Sequence, residues 1–169
     1  MAERQLVRDL MAVGVATCKL DSPLEDIARF LLEKHLESMV VLDSAGHGVG
    51  VVSRDEFIKA YVRDDWRELC AEDVMRAEVP QVPPTIPLAA AAQMMQDWNV
   101  RQVFIMHHAD GITYPAASLS YTHLMRHMIA QKPEDLDDLG IKAARQAPLD
   151  TFIEKRDAAR RSAMIHDEE

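Results

Sequence analysis

Asp9-Leu10-Met11, close to the amino end, returns 64 residues later as Asp73-Val74-Met75. The same offset carries Pro23-Leu24 onto Pro87-Leu88, Ala28 onto Ala92, Leu36 onto Val100, and Val40-Val41 onto Phe104-Ile105. Three residues then enter, and Ser53 returns as Ser120. A single insertion between two otherwise aligned halves marks a duplication. A duplicated supersecondary block buries its apolar face against its copy. Such a pair creates two related clefts about a pseudo-twofold axis. Function is therefore expected in the clefts and not in one catalytic motif.

Local patterns give the elements of each half. Residues 3–11 read as a short helix with Leu6, Val7, Leu10 and Met11 on one face. Ser22-Pro23-Leu24-Glu25 reads as a helix start, with Ser22 as cap, Pro23 in the first turn and Glu25 completing a capping box. Leu24, Ile27, Ala28, Leu31 and Leu32 then mark one buried side. Met39–Leu42 and Val49–Val52 read as strands around the turn Asp43-Ser44-Ala45-Gly46. Ser53-Arg54-Asp55-Glu56 opens a further helix carrying Phe57, Ile58 and Tyr61. The second half repeats the order. Thr85 caps a helix with Leu88, Ala91, Ala92, Met95 and Trp98. Val103–Met106 is a strand, His107–Tyr114 a longer loop, and Ala116–Leu119 a strand. Ser120 starts a last helix with Leu124 and Met128 inward. Pro115 cannot donate to a ladder, so the strand begins there or has an edge or bulge.

Composition narrows the function classes. The chain has 169 residues, 48% of them hydrophobic, enough for one domain of about 130 residues and an extension. Its net charge of -9 has the wrong sign for nucleic-acid binding, which needs clustered Lys and Arg. Cys18 and Cys70 show no metal spacing, and their scarcity is the usage of a reducing compartment. There is no apolar signal segment at residues 1–5 and no run of about 20 apolar residues, so a cytoplasmic protein without a membrane span is expected.

The element order, the D-[LV]-M opening, the strand ending in Leu42-Asp43, and Gly50-Val51-Val52-Ser53-Arg54-Asp55-Glu56-Phe57 resemble the cystathionine-beta-synthase (CBS) domain. The similarity covers about residues 7–130, and two such domains in tandem resemble a stand-alone Bateman module. The resemblance implies an α+β fold of two βαββα units packed about a pseudo-twofold axis, with a C-terminal helical extension. The units divide as residues 1–66, 67–131 and 132–169, the last being the extension. It also implies a homodimer, an adenine nucleotide or adenosyl ligand (AMP, ADP, ATP or S-adenosylmethionine), and regulation of an effector protein that the sequence does not identify.

In the family, a G-h-x-[ST]-x-x-[DN] run places a hydroxyl against phosphate and an acid against the ribose. Gly50, Ser53 and Glu56 match it, Glu replacing the usual Asp. Ser53 stands at a helix N-terminus, where free N–H groups and the helix dipole favour an anion. The alternative is that Ser53 and Glu56 form only a capping box. The second unit has Ala117, Ser120 and His123 at these positions. The resemblance further nominates Val15, Ala16 and Thr17, with Gln81 and Val82 as their counterparts, for the adenine edge, and Ser38, Met39 and Val40 for its face. Family members often have Pro where this chain has Val40 and Phe104. Arg54 and Arg101 are candidate phosphate partners or surface ion pairs. His123 and His127 share a helix face near His107-His108, but spacing places no third metal ligand. The sequence contains no G-x-S-x-G, P-loop, H-E-x-x-H or G-x-G-x-x-G, so no enzyme is expected. Two readings remain open: a ligand-responsive regulator, or a degenerate CBS pair serving as a dimeric scaffold without nucleotide.

Overall fold

Apolar stripes at helical spacing and short Val-rich runs build two α+β units, seen in a computed structural model that describes residues 5–132. In chain order the elements are α1 (Val7–Leu10), β1 (Ala12–Val13), β2 (Thr17–Lys19), α2 (Leu24–Glu33), β3 (Ser38–Leu42), β4 (Gly48–Ser53), α3 (Arg54–Tyr61), α4 (Ala71–Val74), β5 (Arg76–Ala77), α5 (Leu88–Asp97), β6 (Gln102–Ala109), β7 (Ile112–Ser120) and α6 (Tyr121–Ile129). A 3-10 turn at Trp66–Glu68 precedes α4. The helix expected from Leu149, and the rest of the C-terminal extension, lie outside the described residues.

The two sheets exchange strands. One runs β2-β3-β4-β5 and the other β1-β7-β6. β5, from the second repeat, pairs with β4 of the first (Gly50 opposite Ala77). β1, from the first repeat, pairs with β7 of the second (Val13 opposite Ala117). The short opening helices cross over as well. Val7 and Leu10 are buried in the core formed by Val82, Leu88, Ala91, Met95, Val103 and Leu119. Ala71 is buried in the other core with Leu24, Ile27, Leu31, Val41 and Val52.

Backbone hydrogen bonds repeat the exchange at the 64-residue offset. Val7 N–H donates to the Ile86 carbonyl and Ala71 N–H to that of Ser22, each at 2.9 Å. Leu24 N–H reaches Leu69 and Leu88 N–H reaches Gln5, each at 3.0 Å. These bonds replace two expected caps. α2 and α5 begin after Pro23 and Pro87 with no side-chain cap. Ser22 instead accepts from Lys19 N–H, and Glu25 pairs with Arg29 at 3.0 Å. A helix N-terminus leaves donors without intrahelical partners, and here the exchanged segment supplies a carbonyl. The recurring Asp has a role too: Asp9 accepts from Leu6 N–H and Asp73 from Cys70 N–H, both at 2.8 Å, closing the opening helices.

The longer loop expected at His107–Tyr114 is ladder instead. β6 and β7 pair out to Ala109 opposite Ile112, joined by Asp110 and Gly111. Both have positive φ, 52° and 79°, as the tight hairpin turns that match strand twist require. Pro115 lies beside a bulge: Ile105 faces Ala117 and Met106 faces Pro115, leaving Ala116 without a partner on β6, while its carbonyl accepts from Gly14 N–H at 2.9 Å. The first unit bulges at the equivalent place, between Val41 and Leu42. Met128, expected inward, is 81% exposed.

Candidate ligand cleft

The two sheets meet through Val40, Val51 and Phe104, which form a separate buried cluster. Fully burying a side chain such as Phe104 contributes about 1.5–3 kcal/mol. Ser38 and Gln102, repeat counterparts 64 residues apart, touch directly: the Ser38 hydroxyl donates to Gln102 Oε1 at 2.6 Å. A bond between equivalent residues places the pseudo-twofold axis between them. Beside it a cleft of about 710 Å³ opens toward the start of α3. Glu37, Ser38, Val51, Ser53, Arg54, Asp55, Glu56, Ile58 and Lys59 line it from one unit. Arg76, Pro80, Asn99, Arg101, Gln102 and Tyr121 line it from the other.

Five nominated residues, Ser38, Ser53, Arg54, Glu56 and Arg101, therefore come together. Ser53 is the N-cap of α3. Glu56, 6% exposed, turns back on it. Its Oε2 accepts from Ser53 N–H at 2.9 Å and from the Ser53 hydroxyl, while Oε1 lies 3.5 Å from Lys59 Nζ. The capping box thus exists inside the cleft wall. Arg54 donates to the Leu36 carbonyl and lies 3.9 Å from Glu37. Arg101 crosses between units to Asp55 at 3.2 Å.

The remaining nominated residues do not line this cleft. Ala16 spends its carbonyl on Val40 N–H, and Val82 donates to Phe104. Met39, Val40 and Val82 are core. Val15 packs against the cluster between the sheets, and Thr17 pairs with Val40 in the ladder. Gln81 forms a parallel bridge to Phe104, and its neighbour Pro80 lines the cleft. The second unit's segment therefore flanks the first unit's Ser53.

Ser120 and His123 repeat the capping box at α6. Ser120 accepts from His123 N–H, and His123 Nδ1 accepts from Ser120 N–H at 3.1 Å. An imidazole accepts through one nitrogen only while neutral. Burial first, and the Arg126 charge second, lower the His123 pKa from its ordinary value and favour that form. The glycine at position 50 is required by the close approach of a strand. A Cβ there would stand 2.6 Å from Met75 Sδ and 2.7 Å from the Arg76 carbonyl, both on the exchanged segment. Among the described residues no group of three or more His, Cys, Asp or Glu is placed to hold a metal. Sequence reasoning missed Arg76, Asn99 and Tyr121, because only the strand exchange and the axis bring them to Ser53. Asn99 has a φ of 53° just past α5, a signal legible in sequence because Asn tolerates that conformation.

The CBS domain profile matches residues 7–63 and again residues 71–129. The chain belongs to the CBS domain family. It is a tandem CBS pair, and solved CBS structures share its fold. A CBS-domain protein from Agrobacterium tumefaciens is 18% identical with a TM-score of 0.66, over 76% of this chain and 97% of that one. The CBS pair of protein MJ0100, solved with 5-methylthioadenosine and S-adenosyl-L-methionine, is 18% identical with a TM-score of 0.66, over 77% and 100%. CBSX2, solved with AMP, is 21% identical with a TM-score of 0.59, over 73% and 96%. No curated protein matches the chain. No helix among the described residues is long and apolar enough to cross a membrane.

Proposed function

We propose that this CBS pair is a non-catalytic regulatory module that binds an adenine nucleotide or adenosyl ligand in the cleft between its repeats and signals occupancy to a partner protein. The cleft of about 710 Å³ beside Ser53 carries this reading. It is large enough for a nucleoside, it opens at the N-terminus of α3, and both repeats contribute to its wall. Solved CBS pairs that hold AMP or S-adenosyl-L-methionine support it. Neither thiol is primed as a nucleophile. Burial pushes Cys18 up to about 11, and the Asp73 hydrogen bond raises Cys70; a reactive cysteine needs the reverse. A ligand touching both repeats shifts their arrangement by its differential affinity for the two states.

A homodimer is part of the proposal. Ile58, Tyr61 and Val62 on the α3 segment are 71%, 71% and 82% exposed. Their repeat counterparts on the α6 segment, Met125, Met128 and Ile129, are exposed as well. Contiguous apolar surface of this kind marks an interaction site. The scaffold alternative draws on the two completed capping boxes, which occupy Glu56 and His123 without any ligand. A thermal shift screen with AMP, ADP, ATP and S-adenosylmethionine separates the readings. A ligand at 100 times its dissociation constant adds about 2.7 kcal/mol of stability. No shift with all four leaves the scaffold.

A further inference from the structure

Four cations line the cleft: Arg54, Lys59, Arg76 and Arg101. Three of them face carboxylates. Lys59 lies 3.5 Å from Glu56, Arg54 3.9 Å from Glu37, and Arg101 3.2 Å from Asp55. Arg76 differs. Among the described residues its acceptor is neutral, the Trp98 carbonyl at 3.1 Å. One hydrogen bond to a carbonyl leaves its formal charge uncancelled and most of its five N–H donors available. It is exposed on β5 and projects from the second repeat into the cleft wall of the first. The other wall cations would have to release a carboxylate before serving a ligand.

We infer that Arg76 is the anion anchor of this cleft and that it selects an adenosine ligand bearing a single anionic group. This rests on the adenosyl reading of the cleft given above. The three carboxylates of the lining, against four cations, leave one unit of positive charge for the ligand. A lone carboxylate matches that balance, and a monophosphate, with about two negative charges at pH 7, exceeds it by only about one. A triphosphate brings its added charge against Glu37, Asp55 and Glu56 and is disfavoured. The guanidinium fork meets a phosphate or carboxylate through paired N–H bonds, which a point charge does not reproduce. The repeat counterpart of Arg76 is Ala12, so the pseudosymmetric position carries no anchor and one such ligand binds per chain.

Isothermal titration of the full chain with AMP, adenosine and ATP tests this, on wild type, Arg76→Ala and Arg76→Lys. Wild type is expected to bind one AMP per chain, more tightly than ATP. Arg76→Ala is expected to weaken AMP about tenfold or more, as loss of a charged hydrogen bond does, and to leave adenosine unchanged. Arg76→Lys is expected to fall between them. A merely structural role for Arg76 would weaken AMP and adenosine together, and melting curves of both variants report any loss of fold. AMP binding that is indifferent to Arg76→Ala, ATP binding tighter than AMP, or two equal AMP sites per chain overturns the anchor alone. Wild type that binds no adenosine compound overturns the adenosyl reading and the anchor with it.

Discussion

Replacing Glu56 by Ala removes the group that closes the N-terminus of α3. In the native chain Glu56 Oε2 accepts from the Ser53 N–H at 2.9 Å and from the Ser53 hydroxyl, and the side chain is almost wholly buried. Truncation leaves a backbone donor without a partner. It also frees Lys59, but that side chain is 76% exposed, so the ion pair adds little. Loss of a cap costs about 1 kcal/mol, and loss of a hydrogen bond to a charged acceptor about 1.5–3 kcal/mol. The two overlap, since one atom makes both bonds, and about 2 kcal/mol is expected. For a domain of this size that lowers Tm by roughly 4–10 °C. Glu56→Gln keeps a carbonyl acceptor at the same reach and is expected to lose about half as much. The assay is urea unfolding followed by circular dichroism, in the absence of nucleotide. If Glu56→Ala unfolds within about 0.5 kcal/mol of wild type, the range of ordinary surface substitutions, the structural role assigned to Glu56 is wrong.

Three further outcomes follow from the same geometry. Gly50→Ala forces a Cβ to within 2.7 Å of the Arg76 carbonyl, and a loss of about 1–3 kcal/mol is expected from the overpacking; an unchanged denaturation midpoint would contradict the close approach of β5. The His123 pKa is lowered in the folded chain, chiefly by burial. The unfolded chain therefore takes up this proton first as pH falls. The contribution of His123 is complete above about pH 6.5 and is lost below it, toward the folded pKa. Subtracting the stability profile of His123→Gln from that of wild type should reveal this loss, and a flat difference between pH 7 and 5 would refute it. Ile58→Glu combined with Met125→Glu places charge on both exposed helix faces; on the proposed homodimer, sedimentation velocity should show a dimeric wild type and a monomeric variant, and a variant that sediments as wild type contradicts a dimer built on these faces.

Much of the fold was legible because the repeat is written in residue identity. The 64-residue offset predicted two equivalent blocks, and Ser38 bonded to Gln102 is that offset realised in space. Strand exchange was not legible. β1 and β5 have two residues each, too few for alternation to register, and their partners lie about a hundred and about twenty-five residues away in sequence. Ser22 and Thr85 looked like caps on local grounds, but Leu69 and Gln5 supply carbonyls from distant segments. The hairpin at Asp110-Gly111 was present in the sequence as a turn signal, and the length of the segment from His107 to Tyr114 hid it. Of the cleft, the wall from the first repeat was readable through Ser53 and Glu56. Arg76 and Tyr121 belong to no local motif, Asn99 marks only the end of α5, and tertiary geometry brings all three to Ser53.

The regulatory proposal stands or falls on occupancy of the space beside Ser53. Crystals grown with excess AMP should show the nucleotide there, its base and sugar between the two repeats and its phosphate toward Arg76. Crystals in which that space stays filled by solvent alone, from protein that also gives no saturable titration with AMP or S-adenosylmethionine, would mean that the paired repeats are a scaffold and not a sensor.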